Sequence, residues 1–311
     1  MKLSAKEEQK MCRLASMVSI GNKSYLILDY LLDAFQEAAY NDPFIPKGPK
    51  VNVHRDGWGA ILHGKFKNDF YSTFIKSYRP AFNDPTYKIF KEDYKDANEL
   101  FLIVHARKAS PGTAYGVSFL HPFEKILSDS RVFYLAHNGT IHRREILRNE
   151  WKINNLTLSD TQLLVQRIAD VATQTGQQIF DAVHDTVIEL GKREDIPVSA
   201  IQLLVMELEK ENTRLQALSL IKNSNAKTEE QRKINVRYYK LYAIRLSLDN
   251  TAAFSVMSST VLLKLKEKYS DVIEIDYEIE LPEWSEIREI NEDFVDMNKT
   301  DVLKHLVKLK L

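Results

Sequence analysis

The chain has 311 residues, 44% of them apolar and 28% charged, the balance of an ordinary folded, water-compatible protein. Its 43 basic residues cancel its 43 acidic ones, so charge supplies no reason to expect a nucleic acid or a membrane surface as partner. The longest apolar runs, such as Phe101 to Val104, are too short to span a bilayer, and residues 1–11 lack the apolar core of a secretion signal. Cys12 is the only cysteine, which excludes an intrachain disulfide and, without a signal, points to the reducing cytoplasm.

Residues 12–20 read as a strand ending at the turn signal Gly21-Asn22. A helix follows from about Ser24, with Leu28, Leu31, Leu32, Phe35 and Ala39 on one stripe, and Asn41-Asp42-Pro43 stops it. A loop rich in Pro and Lys leads to His54-Arg55-Asp56-Gly57-Trp58-Gly59 and a strand over 60–62. His63-Gly64-Lys65 is expected to turn the chain into a second strand over 70–78. Residues 83–96 read as short helix and loop, and 101–105 as a buried strand that empties into Ala106-Arg107-Lys108-Ala109-Ser110-Pro111-Gly112. His121-Pro122-Phe123 falls in a long loop, and a strand over 132–136 ends at His137-Asn138-Gly139.

The second half opens on a capping box, Ser159-Asp160-Thr161-Gln162, which starts a helix to about residue 175. Helices are expected over 178–192 and 199–222, the latter studded with charge. Strands are expected over 238–246, 253–257 and 272–279, and helices over 260–268 and 300–311. Strands first, helices grouped in the middle and strands again at the end favour antiparallel sheets flanked by helices over a doubly wound parallel sheet.

Several positions carry chemistry, each beside a plainer explanation. Cys12 is either a small buried apolar residue or, if Met11 initiates or the first eleven residues are removed, a thiol and a free α-amine on one residue. Such an amine can take the thiol proton directly, because the two groups titrate near one another. Arg107 follows a buried strand, where a guanidinium can grip a carboxylate with two hydrogen bonds or simply close an ion pair. Asn138-Gly139 offers side-chain and backbone N–H donors for an oxyanion, although Asn-Gly is also a common tight turn. Asp160 at a helix start suits the helix dipole and could equally receive an ammonium group.

Taken together these positions carry more. Cys12-Arg13-Leu14, Gly57-Trp58-Gly59, His105 through Ser110, His121-Pro122-Phe123, Ala136 through Ile141 and Ser159-Asp160-Thr161 follow one another in that order. The series resembles the class II glutamine amidotransferases of the N-terminal-nucleophile hydrolase superfamily, most nearly the stand-alone forms without a fused synthetase domain. A late match at Phe254 through Ser259 extends the likeness to about residue 280.

The resemblance implies an α+β fold, a four-layer αββα sandwich of two mainly antiparallel sheets flanked by helices. It implies a domain over 12–285, a leader over 1–11 absent from the mature protein, and a helical extension over 286–311. It implies Cys12 as nucleophile with its α-amine as base, and Asn138 and Gly139 as oxyanion donors. Arg107 would hold the substrate α-carboxylate and Asp160 its α-ammonium, with Ser110 and His121 also placed on the substrate. Attack on the γ-amide of glutamine would give a γ-glutamyl thioester and ammonia, and water would release glutamate, with no cofactor or metal. Three features depart from the pattern: the eleven residues before Cys12, the apolar pair Phe119-Leu120 where relatives carry small polar residues, and the charged stretch 199–222.

Other assignments stay open on sequence alone. A γ-glutamyl peptide or amide would use the same chemistry, and a protein that keeps its leader could bind glutamine without turning it over. A metal hydrolase built on His54, His105, His121, His137 and His142 would need ligand spacings that none of them shows. A synthetase partner or a homo-oligomer is compatible with everything above.

Overall fold

The apolar stretch after Cys12 forms strand β1 (Arg13–Ile20), whose side chains are buried on both faces because successive residues point opposite ways. Leu14 and Val18 enter one core and Ala15 and Met17 another, so β1 must be covered on both sides. The structure, a computed structural model, describes residues 12–44, 53–67, 69–109, 115–209, 212–223, 226 and 228–310. The leader over 1–11 and Ser110 lie outside the described residues.

In chain order β1 is followed by α1 (Ser24–Tyr40), β2 (Trp58–Phe66), β3 (Asp69–Ser77), α2 (Pro85–Ile89), β4 (Glu99–Ala106), β5 (Phe123–Ile126) and β6 (Val132–Ile141). Next come α3 (Arg144–Glu150), α4 (Asp160–Thr175), α5 (Ile179–Lys192), β7 (Val198–Leu208), β8 (Arg214–Ile221), α6 (Glu229–Tyr239) and β9 (Leu241–Leu248). The chain ends with β10 (Thr251–Ser258), α7 (Ser259–Tyr269), β11 (Glu274–Glu280), β12 (Trp284–Ile290), α8 (Lys299–His305) and β13 (Leu306–Lys308).

The strands form a seven-stranded sheet, β11-β9-β10-β1-β4-β2-β3, and a six-stranded sheet, β13-β12-β8-β7-β6-β5. Neighbouring strands pair antiparallel in both sheets. Leu14, Val18, Ile61 and Ile103 of the first sheet meet Tyr134, Ala136, Leu204 and Met206 of the second in the central core. The outer face of the first sheet packs on α1 and α7, through Ala15, Met17, Leu31, Phe35 and Val261. The outer face of the second packs on α4 and α5, through Leu135, Leu203, Leu164, Ile168 and Val183. The layers therefore run helix, sheet, sheet, helix, the αββα sandwich expected from the sequence.

Four expectations about elements are corrected. Residues 199–222 are not a helix but the hairpin of β7 and β8. The Leu, Met, Ala and Gln that favour helix there lie in strands covered on both faces, where a near-continuous apolar run replaces alternation. Among the described residues, Glu209 lies past the end of β7, and Glu207 and Arg214 pair across the hairpin. The segment 286–311 is not a helical extension, since β12 and β13 pair in the second sheet and only Lys299–His305 is helical. The strand expected over 238–246 starts at Leu241, because α6 runs to Tyr239. His63-Gly64-Lys65 does not turn, and β2 continues to Phe66.

One close approach places the loop before β5 over the first sheet. A Cβ on Gly59 would lie 2.3 Å from the His121 carbonyl oxygen and 3.0 Å from that of Ile75. Only a residue without a side chain lets the His121-Pro122 segment lie on β2. Gly59→Ala should cost about 1–3 kcal/mol by overpacking against backbone and lower the melting temperature by several degrees. An unchanged melting temperature would mean that His121 does not rest on this strand.

Candidate active site

Cys12 stands at the head of β1, the central strand of the first sheet. Its backbone N–H donates to Asn138 Oδ1 at 2.9 Å, across 126 positions of sequence and between the two sheets. The Lys108 N–H, just past the end of the neighbouring β4, reaches Cys12 Sγ at 3.5 Å. Burial pushes the thiol up to about 11, while that N–H and the Arg107 guanidinium draw it down. A thiol so placed is protonated near neutrality and needs a base before it can attack.

Arg107 is fixed through its backbone. Its N–H donates to the Gly57 carbonyl at 2.8 Å, and its own carbonyl accepts the Asp56 N–H at 3.1 Å. Asp56 Oδ2 in turn accepts the Ala109 N–H at 2.7 Å, so the run after β4 is held against the turn before β2. The Arg107 side chain is buried and lies 5.8 Å from the Tyr115 ring centroid.

Asn138 and Gly139 do not follow a strand, as expected, but belong to β6, which runs on to Ile141. Asn138 lies opposite Gln202 of β7 and is buried. Gly139 has φ of 150°, and a Cβ there would sit 1.8 Å from the Ala200 carbonyl oxygen. The ladder with β7 is irregular between Gly139 and Ile141, the kind of bulge that re-aims backbone groups beside a site. Because Asn138 Oδ1 accepts from Cys12, the NH₂ group is the donor end of that amide.

Asp160 is the first residue of α4, which is closed by the expected capping box. Gln162 N–H donates to Ser159 Oγ at 3.2 Å, and Ser159 N–H donates to Gln162 Oε1 at 2.9 Å. Asp160 Oδ2 accepts the Ile141 N–H at 3.0 Å and Oδ1 the Thr161 N–H at 2.9 Å. The carboxylate is thereby tied to β6 two residues beyond Gly139. His137 adds a second tie, its Nδ1 lying 2.9 Å from Thr161 Oγ1.

The structure thus brings Cys12, Asn138, Gly139, Arg107 and Asp160 to one end of the two sheets. His121 is joined to His105 instead, with Nδ1 and Nε2 2.9 Å apart. Its peptide bond to Pro122 is cis, and its ring packs edge-on to those of His105 and Phe123. Burial, and secondarily Arg107 for His105 and His105 for His121, lowers both rings well below the usual histidine range. Both are neutral, with one donating and the other accepting. Among the described residues no group of three or more His, Cys, Asp or Glu is arranged to hold a metal ion.

A buried polar cluster behind Cys12 was missed by sequence reasoning. Arg13 Nη2 pairs with Asp42 Oδ2 at 2.5 Å, and His54 Nε2 lies 2.9 Å from the same oxygen. Thr260 Oγ1 and the Phe44 N–H each reach Asp42 Oδ1 at 3.0 Å. Burial alone would raise the Asp42 carboxyl, but Arg13 and His54 outweigh it and hold it well below the usual range. Burial takes His54 down to about 4 despite Asp42. The available signal was Arg13 itself, a charge at the start of a strand otherwise without one, which must find a partner when buried. Asp42 had been read only as a helix stop.

A family model described as class-II glutamine amidotransferases matches residues 38–195. No curated protein matches the chain. Among solved structures, the allosteric regulatory enzyme of purine biosynthesis is similar in fold, with a TM-score of 0.52 and 14% identity over 90% of this chain and 47% of that one. Glutamine phosphoribosylpyrophosphate amidotransferase from B. subtilis, complexed with ADP and GMP, gives 0.49 and 12% over 90% and 47%. The chain spans about half the length of these solved structures. Among the described residues no helix is long and apolar enough to cross a membrane.

The neutral buried histidines make stability acid-sensitive. An unfolded histidine takes up a proton below about pH 6.5, whereas His54 in the fold does so only near 4 and burial holds His105 and His121 well below their usual range. The unfolded state therefore binds more protons between those limits, so this stability is present above about pH 6.5 and is lost as pH falls toward 4. Each such histidine contributes a slope of up to about 1.4 kcal/mol per pH unit. Urea midpoints should drop steeply from pH 7 to pH 5, and His54→Gln should flatten the slope by about one proton. Equal midpoints at the two pH values would contradict the buried, neutral assignment.

Proposed function

This chain belongs to the class II glutamine amidotransferases, and we propose that it hydrolyses the γ-amide of glutamine with Cys12 as an N-terminal nucleophile. The observation that carries the proposal is the 2.9 Å bond from the Cys12 nitrogen to Asn138 Oδ1, which joins nucleophile, base and oxyanion donor in one unit. With Cys12 as first residue of the working enzyme, its α-amine takes the Sγ proton as sulfur attacks the carbonyl carbon of the γ-amide. Negative charge developing on the γ-oxygen is met by the Asn138 NH₂ and the Gly139 N–H. The ammonium formed on Cys12 returns its proton to the leaving nitrogen, which departs as ammonia. The γ-glutamyl thioester that remains is attacked by water, with the same amine as base, and glutamate leaves with the thiol restored.

The ends of the substrate set its orientation. Arg107 takes the α-carboxylate and Asp160 the α-ammonium, so two ionic contacts fix the γ-amide at sulfur. Asp160 is rigid because both of its oxygens already accept backbone N–H groups, and a carboxylate retains lone pairs for a cation.

Two substitutions separate binding from chemistry. Arg107→Lys replaces a planar fork with a point charge, and loss of one charged contact to a desolvated ligand costs roughly 2–5 kcal/mol. The specificity constant for glutamine should fall at least about tenfold. Asn138→Asp keeps the acceptor for the Cys12 nitrogen but removes the oxyanion donor and adds repulsion. Turnover should fall about 10²–10³-fold or more, with a near-normal Michaelis constant and an unchanged melting temperature. Activity lost only in proportion to unfolding would return Asn138 to a purely structural role in β6.

A further inference from the structure

A first residue has no preceding peptide to hold it, so its geometry depends on non-covalent contacts. Among the described residues every polar group of Cys12 has a contact of this kind. Its nitrogen meets Asn138, its sulfur meets the Lys108 N–H, and its carbonyl oxygen accepts from Arg13 Nη1 at 3.4 Å. The same Nη1 reaches the Tyr238 carbonyl at 3.4 Å, and the guanidinium carbon lies 3.7 Å from the Tyr238 ring centroid. Arg13, Asp42, His54, Tyr238 and Thr260 are all fully buried.

We propose that Arg13, locked by Asp42 and Thr260, is a positioning residue that sets the orientation of the nucleophilic N-terminal residue. A buried ion pair is weak evidence for stability, since apolar side chains of similar volume often serve as well. Its place one residue from the nucleophile gives it another use. The carbonyl contact sets rotation about the Cα–C bond of Cys12, and that rotation decides where amine and sulfur stand relative to the substrate carbon. Asp42 keeps the guanidinium plane from turning, and Thr260 at the start of α7 keeps Asp42 from turning. Among the described residues none of these groups is bonded to the proposed substrate clamp of Arg107 and Asp160, so their effect falls on the chemical step.

The inference rests on Cys12 being the nucleophile, and the experiment separates the two. Arg13→Lys retains a buried cation for Asp42 but cannot hold both the carboxylate and the Cys12 carbonyl in one plane. Misplacement of a reacting group by about 1 Å costs on the order of 10²-fold, so the turnover number should fall about 30- to 100-fold with the Michaelis constant within about twofold. Thr260→Val removes a single hydroxyl and should lower turnover by about three- to tenfold, and Thr260→Ser should restore it. A folded Arg13→Lys protein with wild-type turnover, or with its loss confined to the Michaelis constant, overturns the inference. Should Arg13→Lys fail to fold, wild-type turnover in Thr260→Val overturns it. Cys12→Ala runs alongside: if it is as active as wild type, both assignments fall, whereas an inactive Cys12→Ala beside a normal Arg13→Lys removes only this one.

Discussion

A single hydrogen bond between the two sheets, from the Cys12 nitrogen to Asn138 Oδ1, holds the candidate site together. Its donor opens the central strand of one sheet and its acceptor sits in β6 of the other. An asparagine side chain is short, so this bond forms only while the separation of the two sheets stays fixed. The separation is set by the apolar layer of Leu14, Ile103, Ala136 and Leu204 immediately behind the bond. Core packing and site geometry are therefore one constraint, because a close-packed interior transmits small changes in volume as displacement.

Around this bond the polar groups answer one another rather than water. Arg13 is neutralised by Asp42, His105 is bonded to His121, and His137 is tied to the start of α4. Such networks hold one geometry when their members are satisfied, and they are costly when a member is removed. The site also draws on glycine at one exacting position. Gly139 lies so close to the Ala200 carbonyl that no side chain fits.

Much of this was legible in the residues. Cys12, Arg107 and Asp160 each stood beside a strand end or a capping signal, whereas Asn138-Gly139, which read as following a strand, lie inside β6. The order of strands and helices favoured antiparallel sheets flanked by helices, and the family resemblance implied the four-layer sandwich. The β7–β8 hairpin was not legible, because residues 199–222 combine helix-favouring Leu, Met and Gln with burial on both faces, and periodicity cannot separate those cases. Nor was the role of the C-terminal segment, since β12 and β13 are strands only by virtue of pairing with β8 and with each other. Asp42 and His54 meet Arg13 only in the fold, and His121 meets His105 only there. Apart from the lone charge of Arg13 in an apolar strand, these contacts between residues distant in sequence left no local mark.

The central claim is that Cys12 forms a covalent bond to the carbonyl carbon of the substrate's γ-amide. Since Cys12 is the only cysteine in the chain, a diazoketone analogue of glutamine tests it directly. Wild-type protein would be treated with the analogue, residual glutamine hydrolysis followed, and the modified peptide identified by mass. A single adduct on Cys12, formed in step with loss of activity and slowed by glutamine, is the predicted result. Activity that is lost with Cys12 unmodified, or that persists with Cys12 fully modified, would contradict the account.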